Sequence, residues 1–173
     1  MTRHKSKHSP WNKESAALRI REGWGIIDTS GRTRSPAERS VIALTYKSEE
    51  ITIKYKANIK SQVLSHFEKK YSQSEIITRM HCAGIYLALK DRLKFLPGVF
   101  ICADGINPAS ITNRLKQHLG GAATGKLHVY HSLAEFLGKK NKADRLANEV
   151  NKGRKRATFI FTFEDLKELI NEK

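Results

Sequence analysis

The chain has 173 residues, which is enough for one domain with a sizeable core, and its 32 Lys and Arg against 17 Asp and Glu give a formal net charge of +15. So basic a surface attracts polyanions, above all nucleic acid. No apolar run approaches the ~20 residues that span a bilayer and no signal peptide opens the sequence, so we predict a soluble, cytoplasmic protein without membrane contact.

The first 22 residues are rich in Lys, Arg, His and Ser and contain few apolar side chains. This composition predicts a flexible basic arm over residues 1–22, with one short helical piece near residues 14–21. The main domain is predicted over residues 23–151.

Two apolar runs each end in an aspartate. The first runs from Gly25 to Asp28 and the second from Val99 to Asp104, and each predicts a buried strand with a carboxylate at its tip. Between them, residues 40–47 and 50–56 are rich in β-formers and predict an antiparallel hairpin. With the Asp28 segment this hairpin makes a three-stranded meander.

Helical spacing follows the hairpin. Residues 61–70 predict a helix, and apolar residues at three- and four-residue steps predict a longer one from an N-cap at Ser74 to about Leu96. After the Asp104 strand, Asn107-Pro108 starts another helix that Gly120-Gly121 closes.

The remaining chain predicts a fifth strand over residues 126–131 and a helical stretch over 133–151, interrupted at 138–141. Residues 152–173 predict a basic loop and a C-terminal strand-helix extension. The alternation predicts an α/β fold: a mixed five-stranded sheet with helices on both faces, plus the extension.

The two cysteines, Cys82 and Cys102, lie in apolar periodic segments without CxxC spacing. This placement predicts buried, reduced thiols.

The order of elements, with carboxylates at these places, resembles the ribonuclease H-like superfamily of ribonucleases H, Holliday-junction resolvases and transposase cores. The resemblance covers about residues 24–151. Asp28-Thr29-Ser30-Gly31 resembles the first-strand aspartate of that family, Ala103-Asp104-Gly105 resembles its fourth-strand aspartate, and residues 141–150, with Asp144, resemble its final helix. A family of uncharacterised nucleases with an Asp-x-Ser-Gly opening and a late Ala-Asp helix is similar to about the same degree.

The resemblance implies a catalytic set of Asp28, Glu75, Asp104, Asp144 and His131. Hydrolysis of phosphodiesters by two Mg²⁺ or Mn²⁺ ions about 4 Å apart needs three or four converging oxygen ligands. The resemblance implies that the four carboxylates bind these ions, with Asp28 bridging them, and that His131 assists product release or proton transfer. Glu75 departs from the pattern, since it lies about one turn early and Thr78 or His81 takes the aligned turn.

Basic residues near these positions are predicted to hold the phosphates of a bound nucleic acid. They are Arg32, Arg34, Lys139, Lys140, Arg154, Lys155 and Arg156.

Two other functions stay open. The chain could be a non-catalytic nucleic-acid-binding protein on a ribonuclease H-like scaffold, which the early position of Glu75 favours, or a subunit of a ribonucleoprotein. The substrate stays open among duplex DNA, junction, hybrid and RNA, because phosphate contacts carry no such information. A monomer and a homodimer are both open, since resolvases act as dimers and ribonucleases H act alone. A P-loop and a Gly-x-Ser-x-Gly nucleophile elbow are absent from the sequence.

Overall fold

The computed structural model describes residues 10–171, and within that range the chain forms six strands and seven α-helices. Two short 3-10 helices follow the third and fourth α-helices, at Leu93–Phe95 and Gly120–Ala123. The elements are α1 Lys13–Arg21, β1 Gly25–Ser30, β2 Ser40–Tyr46, β3 Glu49–Tyr55, α2 Ala57–Phe67, α3 Gln73–Leu89, β4 Val99–Cys102, α4 Pro108–Leu119, β5 Leu127–Tyr130, α5 Ala134–Leu137, α6 Lys142–Asn151, β6 Phe159–Ile160 and α7 Phe163–Asn171.

All six strands join one mixed sheet in the order β5-β4-β1-β2-β3-β6. β1, β2 and β3 form an antiparallel meander, as predicted, while β4 pairs parallel with β1 and β5 pairs parallel with β4. Parallel pairing brings the carboxyl ends of β1, β4 and β5 to one edge of the sheet.

The C-terminal extension enters the same sheet, because β6 pairs parallel with β3. β6, the strand of this predicted extension, has two residues. The strand stops early because Thr162 and Asp165 exchange hydrogen bonds as an N-terminal cap of α7.

Successive side chains of a strand point to opposite faces of the sheet, and apolar residues lie on both faces here. Ile27 on β1 belongs to the core under α2, α3, α4 and α7. Its neighbour Ile26 belongs to the second core, under α1, α5 and α6. The predicted α/β class with helices on both faces is therefore confirmed.

The N-terminal segment differs from the predicted flexible arm over residues 1–22. Ala16 of α1 is fully buried, and Trp11 Nε1 donates a hydrogen bond to the Tyr130 hydroxyl at 2.7 Å. Trp11 also packs edge-on against Trp24 and Phe100. The packed part of the chain thus includes residues from Trp11 onward, because two tryptophans anchor it. Residues 1–9 of the predicted arm lie outside the described residues.

Three helix boundaries differ from the prediction. α2 begins four residues before the predicted start at Ser61, and the N-cap of α3 is Ser72 instead of Ser74. α3 ends at Leu89, whereas the apolar spacing predicted a helix to about Leu96. The later leucines still enter the core, through the 3-10 turn Leu93–Phe95.

None of the helices within residues 10–171 combines the length and apolar character needed to cross a bilayer.

Candidate functional site

Asp28 lies on β1, one position after the buried Ile27, and its side chain is half-buried. Its Oδ2 accepts a hydrogen bond from Asn141 Nδ2 at 2.6 Å, and its Oδ1 accepts one from the Thr29 N–H at 2.9 Å. Both donors are neutral. The pairing of Ile27 with Ile101 places Asp28 beside the end of β4.

Asp104 lies two residues after β4, in a left-handed backbone conformation with φ of 49°. Among residues other than glycine, aspartate is one of the few that adopt this conformation readily. The conformation turns the chain sharply at the strand tip, and Gly105, with φ of 75°, continues the turn. The loop of residues 31–39 crosses this tip. The Thr33 N–H donates to Asp104 Oδ2 at 3.2 Å, and Arg34 Nη1 donates to the Gly105 carbonyl at 3.3 Å.

Cys102 connects the two aspartates electrostatically. Burial, together with the nearby Asp28 and Asp104 carboxylates, raises the pKa of the Cys102 thiol to about 12. The thiol therefore stays protonated at neutral pH and does not act as a nucleophile. Its Sγ donates to the carbonyl of His131 at 3.9 Å, which places the exposed His131 at the same edge of the sheet.

Asp144 lies in the first turn of α6. Its N–H donates to Asn141 Oδ1 at 2.9 Å, so Asn141 contacts both Asp28 and the backbone of Asp144. Burial raises the pKa of the Asp144 carboxyl, and the negative charge of Asp28 raises it further. The two carboxylates are thus close enough to repel one another.

Glu75 lies in the first turn of α3 and forms ion pairs with two arginines. Its Oε1 accepts from Arg79 Nε at 2.7 Å and lies 3.7 Å from Arg114 Nη1. The carboxylate therefore contacts its own helix and α4, whereas Asp28 contacts Asn141 at the start of α6.

His81 occupies the position on α3 that faces Asp104. The side chain is fully buried, and its Nε2 lies 3.4 Å from the Cys102 carbonyl. Burial lowers the pKa of His81, and the Asp104 carboxylate opposes this effect in part. An imidazole therefore lies close to the Asp104 carboxylate on the side of α3.

Two clefts open near these aspartates, and both contain predicted phosphate-binding residues. The larger, of about 710 Å³, lies between the loop of residues 31–39 and the N-terminal ends of α3 and α4. Its lining includes Arg32, Arg34, Glu75 and Asp104. The smaller, of about 450 Å³, borders α6, and its lining includes Lys140, Asp144 and Lys155.

The other predicted phosphate-binding residues lie in exposed loops. Lys139 lies in the loop before α6, and Arg156 lies in the loop between α6 and β6. Arg154 lies 3.8 Å from Glu149, and Lys155 forms a close ion pair with Glu50 whose hydrogen bond lowers the pKa of that carboxyl.

The donor chemistry fits a divalent cation in part. Asp28, Asp104 and Asp144 supply the hard oxygen ligands that Mg²⁺ and Mn²⁺ bind, whereas Glu75 is already neutralised by arginine. Over residues 10–171, no group of three or more His, Cys, Asp or Glu side chains is arranged to hold a metal ion.

Two residues of this region were missed by the sequence analysis as individual site residues. Asn141 could have been identified as an N-cap, since Asn precedes an Ala-Asp turn at the start of a predicted helix. Lys60, which contacts the loop of residues 31–39, carries no sequence pattern that distinguishes it from the other lysines of this basic chain.

Comparisons with known proteins found no matching family model, no matching curated protein and no matching solved structure.

Proposed function

We propose that this protein binds nucleic acid along the edge of the sheet where β1 and β4 end, and that Asp28, Asp104 and Asp144 support hydrolysis of its phosphodiester bonds with Mg²⁺ or Mn²⁺. One observation carries the proposal. The larger cleft, at this edge, combines Asp104 with Arg32 and Arg34, and the smaller cleft, beside Glu50, combines Asp144 with Lys140 and Lys155.

Binding of nucleic acid is supported by charge. The net charge of +15 produces long-range attraction to a polyanion, and exposed Arg and Lys on both clefts offer local contacts to phosphate. Such contacts orient a nucleic acid without reading its sequence. DNA, RNA and hybrid substrates are therefore all included in the proposal.

Hydrolysis is supported by the environment of the aspartates. The side chain of Asp28 accepts hydrogen bonds from neutral groups, and its charge raises the pKa of Asp144. Neighbouring carboxylates that repel one another are stabilised when a cation binds between them. A bound divalent cation would supply an activated water and charge stabilisation for the leaving oxygen. His131, exposed at the same edge, would assist product release or proton transfer.

We propose a ribonuclease H-like identity for the fold on the order of its elements. Along the chain, the meander β1-β2-β3 is followed by helices, β4, α4, β5 and the late helix α6. This is the order that the family resemblance implies, with Asp28, Asp104 and Asp144 on the first strand, after the fourth and on the final helix.

Binding without cleavage is the second candidate, because Glu75 is paired with Arg79 and Arg114, and these arginines compete with a cation for its carboxylate. A homodimer and a cytoplasmic location stay predictions from the sequence.

The test is cleavage of labelled duplex, junction, hybrid and single-stranded substrates with Mg²⁺ or Mn²⁺. We expect the native protein and Asp91→Asn to cut the same substrate, since Asp91 is exposed beyond the end of α3. Asp28→Asn and Asp104→Asn should lose the activity while still binding. Salt-sensitive binding by all four proteins with no cutting would overturn the nuclease proposal and leave the second candidate. No binding by the native protein at low salt would overturn both.

A further inference from the structure

Lys60 is a lysine inside the protein. Only 1 % of the surface of Lys60 is exposed to solvent. Lysine is almost never fully buried unless its charge is compensated. The Nζ donates hydrogen bonds to the Arg32 carbonyl at 2.9 Å and to the Glu38 carbonyl at 2.8 Å. Both carbonyls belong to the loop of residues 31–39, so one ammonium on α2 holds two points of that loop.

The loop held by Lys60 carries contacts to the candidate site. Thr33, the residue after one of the two anchored carbonyls, donates its N–H to Asp104 Oδ2. Arg34 donates to the Gly105 carbonyl, and the Arg32 and Arg34 side chains line the larger cleft together with Asp104. The Arg32 carbonyl also closes a turn by accepting from the Ser35 N–H at 3.0 Å. Displacement of this carbonyl would therefore move both arginines and the N–H that binds Asp104.

The charges around Lys60 are consistent with an ammonium at neutral pH. Burial lowers the pKa of Lys60 to about 8, and the Asp104 and Glu38 carboxylates oppose the effect of burial. A charged donor makes stronger hydrogen bonds to carbonyls than a neutral amine.

We propose that Lys60 is a positioning residue of the nucleic-acid site: it fixes the loop of residues 31–39, so that Arg32 and Arg34 face phosphate beside Asp104. This inference rests on the proposed function. Lys60 does not itself touch nucleic acid, because its side chain is buried behind the loop.

The loop-fixing part is tested without nucleic acid, by amide hydrogen exchange on the native protein, Lys60→Met, Lys60→Arg and Lys69→Met. Lys69 is exposed after α2, so its variant removes the same charge without touching the loop. We expect exchange within residues 31–39 to rise about tenfold or more in Lys60→Met, since a hydrogen bond to a charged group is worth at least that factor. Lys60→Arg should restore protection in part, and Lys69→Met should match the native protein.

Unchanged exchange of the loop in Lys60→Met would overturn the proposal. Should Lys60→Met not fold, the native protein and Lys60→Arg decide the matter. A Thr33 amide that exchanges as fast as an exposed amide in the native protein would overturn it as well.

The functional part is tested by the affinity of the same proteins for a fluorescent DNA duplex and a single-stranded RNA over a range of salt concentrations. We expect Lys60→Met to bind more weakly than Lys69→Met and with a shallower salt dependence, because displaced arginines release fewer counterions. Equal binding by Lys60→Met and Lys69→Met would overturn the positioning role, since lost charge alone would explain it. If the native protein binds neither probe, the proposed function fails, while the exchange result still decides whether Lys60 fixes the loop.

Discussion

Helices α3 and α6 both begin with a capped first turn that carries a carboxylate, but the two carboxylates have different neighbours. Glu75 in α3 and Asp144 in α6 each lie in the first turn, and each donates its N–H to the side chain of an N-cap residue, Ser72 at 3.2 Å and Asn141 at 2.9 Å. Glu75 then meets two arginines, whereas Asp144 meets the carboxylate of Asp28.

Under the proposed function, this difference separates a carboxylate that stabilises the fold from one that would bind a metal ion. Arg79 and Arg114 are 15 % and 13 % exposed, so their pairing with Glu75 compensates charges that are mostly removed from water. For Asp144, burial and the charge of Asp28 raise the pKa, and the nearby Lys140 and Arg145 offset only part of this effect. The role of a carboxylate in the first turn of a helix is therefore decided by the groups that it contacts. Its position in the helix alone does not decide it.

The largest expected effect concerns Asn141, which joins the cap of α6 to Asp28. Asn141→Ala should lower the free energy of unfolding by about 2–3 kcal/mol, because it removes an N-cap and a hydrogen bond to a charged group. Asn12→Ala is the matched control, since Asn12 caps α1 by accepting from the Ser15 N–H at 2.8 Å in an exposed position. Chemical denaturation of both variants measures the difference. Equal losses would show that the bond to Asp28 adds nothing.

The next effect concerns the paired carboxylate. Glu75→Gln should lower the free energy of unfolding by about 1 kcal/mol, because two largely buried arginines lose their counter-charge. The loss is limited to this size because Glu75 is partly exposed and solvent screens its ion pairs. Glu14→Gln, in the exposed first turn of α1, controls for the loss of a negative charge near a helix N-terminus. A loss no greater than that of Glu14→Gln would remove the contrast between α3 and α6.

The smallest effect should have the opposite sign. Asp144→Asn should raise the free energy of unfolding at pH 7 by less than about 1 kcal/mol, since it removes a charge that burial and Asp28 disfavour. Because the folded state raises the pKa of Asp144, it binds more protons than the unfolded state just above the ordinary pKa of 3.8. The contribution of this group to stability therefore falls as pH rises through the folded-state pKa.

The stability gained by Asp144→Asn should accordingly vanish below about pH 3.8 and reach its full value above the folded-state pKa. Urea denaturation of both proteins across this pH range checks the sign. A variant less stable than the native protein at pH 7 would contradict the repulsion between Asp28 and Asp144.

Most helices and strands could be predicted from local patterns, because each is built on a run or a periodic spacing of apolar residues. Gly25–Asp28, the hairpin and the interruption at residues 138–141 rest on β-formers, turn residues and helical spacing within a few positions. The packed N-terminal segment could not be predicted in this way. It depends on Trp11 meeting Tyr130, 119 positions away in the sequence.

The residues of the candidate site also differ in whether local sequence predicts them. Asp28 and Asp104 stand out because each ends an apolar run, and the Asn-x-Ala-Asp turn marks Asp144. The second ion pair of Glu75 is with Arg114, on a different helix, and the buried Lys60 donates to carbonyls of a distant loop. Neither contact follows from local sequence. Because α2 begins four residues before the predicted start at Ser61, Lys60 lay outside the predicted helix.

The most direct test of the central claim is Mn²⁺-dependent cleavage of a substrate that the native protein cuts, measured for Asp144→Asn and Glu75→Gln side by side. Our account predicts that Asp144→Asn lowers the rate about a hundredfold or more, because a proposed metal ligand is lost, and that Glu75→Gln cuts at nearly the native rate. Loss of cleavage in Glu75→Gln with native activity in Asp144→Asn would contradict it.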